Sequence, residues 1–146
     1  SPALSLPNQD GTVVSLAGLK GKWVVVYFYP RASTPGCPTE ACEFRDNHQQ
    51  FEIADTVIFG VSPDDVKSHQ KFTAKFDLSF PLLADVDKRV SEAYGVWVEK
   101  SMYGRKYMGV ARTTFVIDKD GKIAKIFEKV TPKGHSAEVF ETVNAL

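Results

Sequence analysis

The chain has 146 residues, 43% of them hydrophobic, and its eighteen basic and eighteen acidic side chains cancel. That length and apolar share predict one domain over residues 1–146 with a single core. No apolar run nears the ~20 residues of a membrane-spanning helix, and without a basic run, nucleic-acid binding is disfavoured. Two cysteines are too few for a disulfide-built secreted scaffold, which points to a reducing, cytoplasmic compartment where a thiol pair cycles.

Ser1-Pro2-Ala3-Leu4 lacks the charged and apolar regions of a signal peptide, although the missing initiator Met leaves export open. Asn8-Gln9-Asp10-Gly11 reads as the turn of a short hairpin. Residues 23–29, Trp-Val-Val-Val-Tyr-Phe-Tyr, are the most β-prone run of the chain, apolar enough to be buried on both faces of a sheet. Next come Pro30 to Cys42, a segment holding both cysteines and three of the eight prolines. A helix is expected over 37–51, with Ala41, Phe44, His48 and Phe51 on its inward face. Residues 56–61 form a second buried strand. Ser62-Pro63-Asp64-Asp65 reads as a helix start with Ser62 as cap, opening a helix to Phe76 that presents Val66, His69, Phe72 and Phe76. Residues 79–84 are a short strand, and Asp87 caps a helix ending near Tyr94-Gly95. Residues 96–112 read as a loop with one short strand. Asp120-Gly121 closes a hairpin of 113–118 and 122–127, and 135–145 is a last helix presenting Val139, Phe140 and Val143. The order β-β-α-β-α-(β)-α-β-β-α predicts an α/β fold with a central mixed sheet flanked by helices. A thioredoxin-like layout fits it.

A cysteine attacks as thiolate, and an ordinary pKa of about 8.5 leaves it mostly protonated near neutrality. Cys37 follows Gly36 at the start of the predicted helix, where free N–H groups favour negative charge, and Pro38 suits the first helical position. Five residues of helix separate Cys37 from Cys42, a rise of about 7.5 Å with a rotation of about 140°. The Cα atoms then lie roughly 8–9 Å apart, beyond the ~7 Å that a disulfide tolerates. Any bridge between them requires the helix to unwind locally.

Pro30-x-x-x-Thr34-x-x-Cys37 is the active-site signature of the peroxiredoxins, thiol-dependent peroxidases of thioredoxin-like fold. A second cysteine five residues on resembles their Q subfamily, the bacterioferritin comigratory proteins. The likeness extends through Val26–Pro30, Ala41–Asp46, Gly60–Asp64, Tyr94–Trp97, Met102–Gly104, Tyr107–Arg112 and Phe115–Ile123, in order. It implies that Cys37 is the peroxidatic and Cys42 the resolving cysteine. Thr34 would hydrogen-bond thiolate and peroxide, and Arg112 would stabilise the thiolate and orient the peroxide. Pro30 would shield the site, Gly36 and Cys37 would offer backbone N–H donors, and Glu40 would pair with the arginine. Pro38 departs from the Thr of many relatives.

The implied reaction is attack of Cys37 on hydrogen peroxide or an alkyl hydroperoxide, resolution by Cys42, and reduction by a thioredoxin or glutaredoxin-like donor. It needs no metal or organic cofactor, and the implied unit is a monomer or weak dimer. A general thiol–disulfide oxidoreductase and a non-enzymatic holdase with structural cysteines are the competing readings. Met102, Tyr103, Tyr107 and Met108 could form a collar admitting alkyl hydroperoxides or pack on the sheet, and Arg45 could join the site or make a solvated ion pair with Glu43 or Asp46. His48, His69 and His135 are too scattered to suggest zinc.

Overall fold

The computed structural model describes residues 4–19, 21–31 and 36–145. Strands β1 (Ser5–Pro7) and β2 (Val13–Ser15) pair antiparallel. Asn8 closes their turn, its Oδ1 accepting the N–H groups of Asp10 and Thr12. There follow β3 (Trp23–Phe28), α1 (Cys37–Ile53), β4 (Thr56–Ser62), α2 (Val66–Phe76), β5 (Leu82–Ala84) and α3 (Arg89–Ala93). The chain then makes β6 (Trp97–Met102), β7 (Arg105–Val110), β8 (Thr113–Ile117), β9 (Ile123–Phe127) and α4 (His135–Ala145).

The main sheet runs β5-β4-β3-β8-β9. β3, β4 and β5 are parallel, whereas β8 runs antiparallel to β3 and to β9. This is the mixed, helix-flanked sheet that the element order predicts, with β3 at its centre. Because side chains alternate across a strand, β3 feeds two cores. Val25, Tyr27 and Tyr29 join α1, α2 and α4 on one side. Val24, Val26 and Phe28 join β1, α3 and the β6–β7 base on the other. Phe44 and Phe51 are fully buried on the inward face of α1, while His48 keeps contact with solvent.

Several local expectations are corrected. Ser62 is the last residue of β4, paired with Ala84, and does not cap α2. The cap is Asp65, whose carboxylate accepts the Ser68 N–H at 2.8 Å. At α3 the main anchor is the buried Asp85, which accepts from the N–H groups of Val90 and Ser91 and the Ser91 hydroxyl. Asp87 accepts the Arg89 N–H at 3.2 Å and pairs with its guanidinium at 3.9 Å, both exposed contacts. Residues 97–110 are a full two-stranded hairpin turning at Tyr103-Gly104, both at positive φ (52° and 77°). Pro38 is the second helical residue of α1, because Gly36 caps that helix.

Candidate active site

β3 ends at Phe28, and the chain returns as α1 at Cys37. Gly36 takes φ 93°, a left-handed conformation that favours glycine. A Cβ there would also stand 2.9 Å from Pro132 Cγ. Glu40 N–H makes the first helical bond, to Gly36 O at 3.0 Å. The N–H groups of Cys37 and Thr39 therefore have no acceptor within the helix.

Cys37, Glu40, Ala41 and Phe44 share the buried face of α1. Cys37 is only 2% exposed. Arg112 arrives from the short connection between β7 and β8, and its guanidinium joins two residues of the first helical turn. Nη2 donates to Cys37 Sγ at 3.2 Å and Nη1 to Glu40 Oε1 at 2.9 Å. Glu40 is fully buried, and its Oε2 has no hydrogen-bond partner among the described residues. One planar guanidinium thus fixes the thiol and the acid together, a fork that lysine does not offer.

The electrostatics of the cluster oppose one another. Burial pushes the Cys37 thiol up from its ordinary value; the Arg112 charge and hydrogen bond and the Arg31 backbone pull it back only in part. Sequence position alone predicts a lowered thiol, and burial outweighs that pull in this closed site. Burial also pushes Glu40 up to about 7, with Arg112 opposing. For Arg112 burial works to lower the value, but Cys37 and Glu40 outweigh it and hold the guanidinium above its ordinary range.

Of the expected site residues, the structure brings together Cys37, Gly36, Glu40 and Arg112. Pro30 lies just past β3, half-buried, and Thr34 lies outside the described residues. Cys42 is a free, half-buried thiol on the same continuous helix as Cys37. Pro38, four residues before it, lines a cavity of about 340 Å³ with Phe72 and Phe76 of α2. Arg45 makes the expected ion pair, within electrostatic reach of Cys42. It pairs with Asp46 at 2.9 Å and donates to the Phe76 carbonyl. Tyr103, Tyr107 and Met108 are exposed on the β6–β7 hairpin, and the Met102 side chain lies outside the described residues.

One cation was missed. Lys100 on β6 is half-buried, and burial first, then repulsion from Arg112, lowers it, while Cys37 works the other way. Its stem crosses β7 at Gly109, where a Cβ would sit 3.3 Å from Lys100 Cδ. Nothing in its sequence neighbourhood marks it, because only the pairing of β6 with β7 carries it towards Arg112. His69 and His135 are buried hydrogen-bonding groups. The first meets Ser62 Oγ at 2.8 Å and Tyr29 Oη at 3.1 Å, the second Thr114 Oγ1 at 2.7 Å.

Residues 1–126 match the AhpC/TSA family. The chain is 48% identical over 143 residues to the peroxiredoxin Bcp of Bacillus subtilis, covering 98% of this chain and 91% of that one. It is 44% identical over 135 residues to the peroxiredoxin Bcp of Escherichia coli K12, covering 92% and 86%. Among solved structures it resembles the bacterioferritin comigratory protein of Xanthomonas campestris, studied for its alkyl peroxide reduction activity. The TM-score is 0.93 at 39% identity, covering 97% of this chain and 90% of that one.

Proposed function

Since the chain belongs to the AhpC/TSA family and is, like its peroxiredoxin relatives, a thiol-dependent peroxidase, we propose that its reaction begins at Cys37. The supporting observation is the single guanidinium of Arg112 that holds Cys37 Sγ at 3.2 Å and Glu40 Oε1 at 2.9 Å. A peroxide entering beside the sulfur meets a cation and helix-start N–H groups that have no acceptor within the helix, donors suited to an oxygen that gains negative charge. Gly36 lets that backbone approach, Pro30 shields the thiolate from bulk water, and Thr34 supplies a hydroxyl to sulfur and peroxide.

The Cys37 thiolate attacks one peroxide oxygen. The O–O bond breaks, the sulfur becomes a sulfenic acid, and the departing hydroxide or alkoxide takes a proton from solvent. The first turns of α1 then unwind. Cys42 condenses with the sulfenic acid, forming an S–S bond and releasing water. A dithiol donor of thioredoxin type reduces the disulfide by exchange, its own thiols being oxidised. Hydrogen peroxide and alkyl hydroperoxides are the substrates we assign, the latter by likeness to the Xanthomonas protein. One domain over 1–146, acting as a monomer or weak dimer in a reducing, cytoplasmic compartment, holds the residues assigned to this cycle. Among the described residues no helix is long and apolar enough to cross a membrane.

Rapid mixing of the reduced protein with one equivalent of hydrogen peroxide tests this. Both thiols should be lost quickly, and Cys37→Ser should abolish the loss. Cys42→Ser should stall at a sulfenic acid that a dimedone-type reagent traps. Rapid consumption of peroxide by Cys37→Ser would overturn the assignment.

A further inference from the structure

Helix α1 is held in two different ways, and the change falls at Cys42. Ahead of it, Cys37 and Ala41 pack in the core, and the polar ties among the described residues run from Cys37 and Glu40 to the Arg112 guanidinium. Behind it, α1 is stitched to its neighbours. Both Glu43 carboxylate oxygens accept the Gly134 N–H at 3.0 Å. One turn on, Asn47 Nδ2 donates to Ser136 Oγ at 2.7 Å. Phe44 meets the His135 ring edge-on, and Phe51 meets Phe140. Gly134 immediately precedes α4 at φ 81°, and its carbonyl accepts the Glu138 N–H. The Glu43 carboxylate therefore caps α4 from another helix, where unpaired N–H groups and the helix dipole favour an anion.

Resting on the reading that Cys42 resolves Cys37, we propose that Glu43 is the positioning residue that ends the unwinding of α1. Clamped to the start of α4, it holds the helix from residue 43 onward, so that only the segment from Cys37 to Cys42 releases. The step it serves is balanced within the chain. The Cys37 sulfenic acid and the Cys42 thiol give a disulfide and water. Confinement matters because Cys42 then stays at the end of an anchored helix while Cys37 swings to it, so the released segment is no longer than the two sulfurs need. An unwinding that ran on through the next turn would leave Cys42 in the middle of a long slack segment. Glu43 touches neither sulfur nor peroxide; it reaches the attacking thiol only indirectly, through a minor electrostatic push on Glu40, and its main effect falls on resolution.

The test uses Glu43→Ala, with Glu43→Gln as the conservative variant that keeps an oxygen acceptor. In stopped-flow reactions with hydrogen peroxide, sulfenic-acid formation should stay within about twofold of the parent. Disulfide formation should slow in Glu43→Ala by more than the twofold allowed for sulfenic-acid formation and recover in part in Glu43→Gln. Hydrogen exchange on the oxidised proteins gives the second readout. In the parent, amides from Asn47 onward keep their helical acceptors and stay protected; in Glu43→Ala those of residues 47–50 should exchange at least tenfold faster. Disulfide formation that is unchanged overturns the anchor. Faster formation also overturns it, making the Glu43 clamp a lock that must break. Absence of a Cys37–Cys42 disulfide in the parent itself would instead sink the resolving role of Cys42, so the two failures are told apart.

Discussion

The two faces of the central sheet are built from different materials. Against Val24, Val26 and Phe28 lie Phe59, Val61, Leu83, Val90, Tyr94, Phe115 and Ile117, and the carboxylate buried at α3, Asp85, is fully engaged by the Val90 and Ser91 N–H groups and the Ser91 hydroxyl. Against Val25, Tyr27 and Tyr29 lie Cys37 and the aromatic rings of α1, and that side also buries Glu40, His69 and His135. A side chain with a hydroxyl, thiol or carboxyl buried in low dielectric costs more than an apolar one, and its ionisation follows its neighbours. The apolar face stabilises; the polar face leaves titratable groups under tension where the chemistry is. One strand supplies both, because alternate residues of β3 point to opposite sides.

Truncation on the apolar face should give the largest effect. Phe28 is fully buried, ringed by Tyr94 at 5.3 Å and Phe115 at 5.7 Å. Phe28→Ala should destabilise the protein by about 3–5 kcal/mol. Chemical denaturation measures that loss, and the folded fraction should reduce peroxide within a few-fold of the parent. A comparable loss of rate with no loss of stability would erase the distinction between the faces.

On the other face, Arg112→Met should invert that pattern. Removing the donor pair should slow sulfenic-acid formation by about 10²–10³, about 3–4 kcal/mol at the transition state, and raise the Cys37 pKa further. The stability loss should stay well below that of Phe28→Ala, because Glu40, already pushed up to about 7, can take a proton once its partner is gone. Rapid-mixing rates across pH, set beside denaturation curves, measure both quantities. Undiminished peroxide reactivity would refute the role of Arg112.

How far the two faces were legible in the sequence differs in the same way. The apolar run of β3, the Asp120-Gly121 turn and the spacing along α1 are written in pattern, because burial selects residue type. Residues 97–110 gave no such signal. Their strands lie outside the main sheet, several of their side chains face solvent, and Tyr103-Gly104 is not among the dipeptides that mark a hairpin. Ser62 misled because a Ser-Pro-Asp-Asp string is a good cap motif in isolation, yet pairing with Ala84 keeps Ser62 in its strand. At the site, the helix-start cysteine was legible from Gly36 and Pro38. Arg112 was legible only through family resemblance, since 75 residues separate it from Cys37. Lys100 and the upward push on Cys37 were not legible, because both depend on how deeply the fold buries the group.

The smallest predicted effect concerns Glu40, and its sign follows from that burial. A carboxyl raised in the folded state to about 7 binds a proton there that the unfolded chain has already lost. The stability it contributes is complete below the ordinary glutamate value and disappears as pH rises towards and past about 7. Gln at this position does not titrate. Glu40→Gln should therefore gain in melting temperature relative to the parent between about pH 5 and pH 8, where the parent's carboxyl becomes charged in a site that disfavours it. The same charge works against ionisation of Cys37. Removing it should move the pH midpoint of sulfenic-acid formation down. Amide oxygen can still accept from Arg112, so the fork on the thiol is kept. A melting-temperature difference that stays flat across that pH range would show Glu40 ionised throughout. The polar face would then hold a settled ion pair, and the tension assigned to it would rest on Cys37 alone.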